Sequence, residues 1–91
     1  MKSENWLLAE DKRLKHGDNV VRRKIRRGWK ILKITRQILE LETSKPENQI
    51  NYLRCRNVIR YENRVERIIF SLKLERKHIE IRRKLIQRIL K

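Results

Sequence analysis

Ser44-Lys45-Pro46-Glu47-Asn48 decides how this chain folds. Pro46 has no amide hydrogen, and its ring pushes Lys45 out of helical angles, so a helix arriving at Ser44 stops there. Pro46 is the only proline, and the only two glycines, Gly17 and Gly28, both precede it. Beyond Asn48 the chain has neither Gly nor Pro. A single break between two long helical patterns predicts a chain that turns back on itself.

Upstream of the break, Val21, Ile25, Gly28, Leu32, Thr35 and Leu39 step by four and three residues along one helical face. Ile31, Ile34, Ile38 and Leu41 form a second stripe beside it. Asp18 or Asn19 is expected to cap this helix, which runs to about Thr43. Residues 1–18 read as a short N-terminal helix or arm. Ser3 is its candidate cap, Trp6, Leu7, Leu8 and Leu14 its apolar patch, and His16-Gly17-Asp18 its end. Residues 19–91 read as a basic helical hairpin domain.

Downstream, the helical pattern resumes near Gln49 and continues to Lys91. Val58, Tyr61, Val65, Ile68, Leu72, Ile79, Ile86 and Ile89 make a heptad-like seam in which Glu75 and Arg82 hold two core positions. At 1.5 Å per residue an unbroken helix here would be roughly 64 Å long, against roughly 37 Å for the helix before the proline. The seam turns polar between Ser71 and His78, and Leu72 with Leu74 and Ile79 with Ile81 alternate at two-residue spacing. A break or bend is expected there. The fold class is all-α: a helical hairpin, or a small three- to four-helix bundle with a long C-terminal helical segment. The heptad-like seam also predicts a homo-oligomer.

Charge narrows the function. Twenty-six Lys and Arg against 11 Asp and Glu give +15, with a sequence pI near 11.0, a balance that attracts polyanions. The densest cluster is Arg22-Arg23-Lys24-Ile25-Arg26-Arg27-Gly28-Trp29-Lys30, extended by Lys33. Helical spacing aligns Arg22, Arg26, Lys30 and Lys33 on one face, with Arg23 and Arg27 alongside, suited to a line of phosphates. A second row, Arg56, Arg60, Arg64 and Arg67, steps by four, four and three, and the planar guanidinium grips phosphate as a fork. Glu62 and Glu66 lie close enough in sequence to neutralise part of that row. Trp29 sits within the first cluster, either as a base-stacking platform or as a core anchor. Its spacing from Ile25 and Leu32 favours the core, and Trp6 is also expected to pack.

The pattern argues against catalysis. His16 and His78 are isolated from other metal-ligating residues, so no zinc site is expected. Cys55, Ser71 and Thr35 have no base nearby in sequence. Glu40, Glu42, Glu62 and Glu66 are too scattered for a two-metal centre, and no glycine-rich phosphate loop is present. No cofactor is expected. A lone cysteine makes no intrachain disulfide, no secretory leader is recognisable, and no apolar run approaches the roughly 20 residues of a membrane span. The expected location is the cytoplasm, or a virion interior for a viral chain.

The expected function is non-catalytic binding of RNA or DNA, mainly through the phosphate backbone. The alternative is an oligomeric helical module that docks on an acidic protein, for example to regulate or inhibit a nucleic-acid-processing enzyme. Adsorption of residues 72–91 to anionic membrane is a weaker third reading, because the segment beyond Phe70 has no Trp or Phe.

Overall fold

The computed structural model describes residues 2–91, with side chains from residue 4 onward. Helix α1 spans Lys2–Thr43, one turn of 3-10 helix spans Glu47–Gln49, and helix α2 spans Tyr52–Leu90. The two long helices pack antiparallel as a hairpin, a rod of 72 × 15 × 14 Å over its Cα atoms. No strand occurs among the described residues, and there is no three- or four-helix bundle.

The turn is built as its sequence requires. Pro46, at φ −54° and ψ 144°, ends the helical run. Thr43 Oγ1 donates to the Leu39 carbonyl at 2.7 Å, and the Ser44 hydroxyl donates to the Glu40 carbonyl, satisfying carbonyls of the last turn. Asn51 then caps α2, its side-chain oxygen accepting from the Arg54 amide at 3.0 Å. Glu42 joins the two helices. It is 5% exposed, and its carboxylate accepts from the Asn51 amide at 2.8 Å and from Lys45 Nζ at 2.7 Å. The lysine bond, followed by the backbone bond, holds this carboxyl below its ordinary pKa.

Packing along the rod follows a heptad repeat. On α1, Leu14, Val21, Gly28, Thr35 and Glu42 fall seven residues apart and all are buried, with Ile25, Leu32 and Leu39 between them. On α2 the inward columns are Val58, Val65, Leu72, Ile79 and Ile86, and Cys55, Glu62, Ile69, Arg76, Arg83 and Leu90, all buried or half-buried. Leu32, Val65 and Ile69 form the tightest cluster, with Ile25 and Ile31 packed against it. Gly28 permits the close approach of the helices: a Cβ there would lie 2.6 Å from Ile69 Cγ1. The stripe expected from Val21 to Leu39 is therefore the buried face of α1.

Three expectations are corrected. First, no helix end falls at His16-Gly17-Asp18; α1 runs through it. Gly17 faces Ile79, and Asp18 serves as an ion-pair partner instead of a cap. The capping role expected of Ser3 lies outside the described side chains. At 1.5 Å per residue α1 is thus about 63 Å long and α2 about 59 Å, and the length mismatch vanishes. Second, α2 neither breaks nor bends into separate helices between Ser71 and His78. Leu72 and Ile79 stay half-buried there, and Arg76 reaches across the seam to Asp18. Third, half of the expected α2 seam is displaced by one residue. Tyr61, Ile68 and Ile89 are exposed, while Glu62, Ile69 and Leu90 turn inward. Cross-helix ion pairs explain why: Arg76 and Arg83 are tolerated inside because Asp18 and Asp11 face them.

Candidate nucleic-acid interface

Two ion pairs fix the alignment of the helices and hence of the cations on them. Arg83 Nε lies 2.9 Å from Asp11 Oδ1, and Arg76 Nε lies 3.2 Å from Asp18 Oδ1. Both pairs repeat at seven-residue spacing on each helix, so they define one antiparallel register. In that register residues 22–33 of α1 run beside residues 61–72 of α2.

All ten expected contact residues are exposed: Arg22, Arg23, Arg26, Arg27, Lys30, Lys33, Arg56, Arg60, Arg64 and Arg67. Heptad geometry sorts them. Arg23 and Lys30 lie on the rib of α1 farthest from α2, Arg26 and Lys33 on one shoulder, and Arg27 on the other. Arg60 and Arg67 lie on the far rib of α2, flanked by Arg56 and Arg64. The clusters therefore overlap along the rod but face away from each other. Their outer ribs form two opposed cationic faces, and Arg27 and Arg64 share one flank between them.

Most of these cations are free to engage an external anion. Among the described residues, Arg22 is the only one of the ten with a carboxylate within 4.0 Å, at 2.9 Å from Asp18. The neutralisation expected from Glu62 does not occur, because Glu62 turns into the seam and its nearest cation is Arg36, at 3.9 Å on the other helix. Glu66 is exposed and makes no ion pair among the described residues.

Trp29 departs from the expected core role. It stands at the seam edge, 46% exposed, with Lys73 Nζ 4.9 Å from its ring centroid. Phe70, Arg36 and Lys73 share a shallow cleft of about 230 Å³ with it. Trp6, also expected to pack, is 64% exposed. The grouping of Trp29 with Phe70 and Lys73 escapes sequence reasoning because it forms between helices; only the register reveals it. A second cross-helix cleft, of about 350 Å³, brings Arg22, Arg76, Arg83 and Lys84 around Asp18.

No protein family, curated protein or solved structure matches this chain. Among the described residues, no three His, Cys, Asp or Glu side chains gather as a metal site, and no helix is long and apolar enough to cross a membrane. Cys55 is buried against the seam, and His16 and His78 are exposed.

Proposed function

We propose that this protein binds RNA or DNA non-catalytically, contacting mainly the phosphate backbone through two opposed cationic faces. The observation that carries the reading is the set of ten exposed arginines and lysines in one stretch of the rod, nine without a carboxylate partner among the described residues. A nucleic acid carries condensed cations, and neutralising its phosphates with unpaired arginines and lysines releases those counterions and drives association. Arginine predominates in both clusters, which favours forked contacts to phosphate oxygens. Trp29, beside Phe70 and the Lys73 ammonium, adds a surface on which an unpaired base can stack.

Because the faces point apart, each acts as a separate footprint. Arg22, Arg23, Arg26 and Arg27 supply much of the first, and Arg56, Arg60, Arg64 and Arg67 the second. Replacing the first four with Gln should weaken binding and reduce the salt slope by on the order of 0.7 to 0.9 for each phosphate no longer neutralised. The second footprint should preserve part of the slope. The test is titration with single- and double-stranded RNA and DNA at several salt concentrations, with polyglutamate as competitor. Unchanged affinity and slope in the variant would overturn the assignment of the first face. Equal binding to polyglutamate would transfer the reading to an acidic protein partner.

A further inference from the structure

The turn end of the hairpin carries an apolar flank that its own two helices cover only in part. Ile31, Ile34 and Ile38 of α1 and Leu53, Val58 and Tyr61 of α2 line a groove of about 640 Å³. Ile34 is 56% exposed and Leu53 66%. Isolated exposed apolar residues are ordinary, but a contiguous set spanning two helices marks a surface for association.

The area of the molecule indicates how much covering is required. A compact monomer of 11.3 kDa would expose about 5,700 Å² by the surface-to-mass relation. This chain exposes 7910 Å². The excess of about 2,200 Å², spread along the whole rod, leaves ample surface for the roughly 800 Å² that each partner contributes to a standard interface. A two-helix rod with a three-residue tight cluster at its centre is short of buried apolar area, and a second layer of helices on this flank would supply it.

The charge layout is compatible with a second copy in that place. Arg54 is the only cation lining the groove. Neighbouring Lys33 and Arg36 are turned by the heptad toward the other flank and Arg60 lies on the outer rib, while Arg27 and Arg64, seven residues from Ile34 and Asn57, stand on this flank just past the end of the groove. Two rods can thus meet groove to groove while the outer ribs, with Arg23, Lys30, Arg60 and Arg67, remain outside, where the Debye length of about 8 Å at physiological salt limits their repulsion. A two-fold axis satisfies this arrangement because the same patch serves both copies.

We infer that the chain forms a two-fold symmetric dimer through this groove, giving a four-helix layer at the turn ends with the outer cationic ribs facing away from the contact. The dimer does not depend on nucleic-acid binding and is tested without nucleic acid. Light scattering of the purified chain is measured from about 1 to about 100 µM, the weak end of the range for standard interfaces. The mass should rise to twice 11.3 kDa. Ile34→Glu with Leu53→Glu should return it to the single-chain mass while circular dichroism stays helical. Phe70→Glu, equally apolar and 64% exposed but outside the groove, should leave the dimer intact. If the double variant lost helicity, Ile34→Gln alone would decide: it should weaken the dimer about a hundredfold, since one apolar side chain is removed twice across a two-fold axis. A single-chain mass throughout for the unaltered protein, a dimer unaffected by the groove substitutions, or equal disruption by Phe70→Glu would overturn the inference.

Discussion

Gly28→Ala offers a sharp test of how closely the two helices meet. In an isolated helix the change is favourable by about 1 kcal/mol, because alanine loses less backbone freedom than glycine. Here the new Cβ would lie 2.6 Å from Ile69 Cγ1 and 2.8 Å from Ile69 Cδ1, well inside the roughly 3.5 Å of good carbon contact. Ile69 is 4% exposed and branched at Cβ, so it cannot simply swing aside. Overpacking of this kind costs about 1–3 kcal/mol. The balance is a net loss of about 1 kcal/mol, or a fall of about 4–8 °C in Tm for a domain of this size. The same substitution should change sign when Ile69 is removed. Ile69→Ala alone costs about 2–5 kcal/mol. In that background Gly28→Ala meets no clash, recovers its helix propensity and fills part of the cavity, so it should stabilise by about 1 kcal/mol. Chemical denaturation followed by circular dichroism, at one protein concentration for all four proteins, completes the cycle. Stabilisation by Gly28→Ala in both backgrounds would refute the close approach at this level of the rod.

Two further outcomes follow from the ion pairs. Asp11→Arg should destabilise the hairpin by placing two guanidinium groups together, and adding Arg83→Asp should recover about 1 kcal/mol by restoring the pair in reverse, as partly exposed pairs are worth about that much; a double variant no more stable than the single would mean that Asp11 and Arg83 do not set the register. Glu42 has a folded-state pKa below its ordinary 4.5, so its contribution should be complete above that value and be lost as pH falls through the lower folded pKa. Comparing Tm against pH for the unaltered chain and Glu42→Gln should show a gap at neutral pH that closes in acid, and a gap independent of pH would mean that the Glu42 carboxylate does not hold the turn.

The hairpin was legible because its one strong breaker lies between two periodic segments, and Pro46 acts locally whatever surrounds it. The buried face of α1 was legible for the same reason, since Val21, Ile25, Leu32 and Leu39 are apolar at unambiguous spacing. On α2 the apolar residues occupy two neighbouring columns. Hydropathy favours Tyr61, Ile68 and Ile89 over a column that contains Glu62, Arg76 and Arg83. Only the acids on the opposite helix make those charged side chains acceptable inside, and a single helix does not display its partner. Asp18 illustrates the same limit: as a local signal it reads as a cap, whereas across the seam it holds Arg76. Of the candidate site, each cation's exposure followed from helical spacing. The separation of the two clusters onto opposed faces did not, because it depends on how α1 is rotated against α2.

The layout of charge separates the carboxylates that hold the fold from the cations offered to solvent. Asp11, Asp18, Glu42 and Glu62 occupy inward or half-buried positions and hold the register or the turn, whereas the cations outnumber them and mostly face solvent. Pairs shielded by the seam are screened by salt far less than separated charges at the surface. Added salt should consequently strip a polyanion from the outer faces well before it loosens the hairpin. It also removes the repulsion among Arg22, Arg23, Arg26 and Arg27, whose crowding weakens the free helix. In the free protein that repulsion is borne by a helix anchored through Leu32, Ile69 and Val65; in the proposed complex, phosphate would neutralise it. The segment with the greatest electrostatic cost is thus set beside the tightest part of the core, the place in the rod best able to tolerate it.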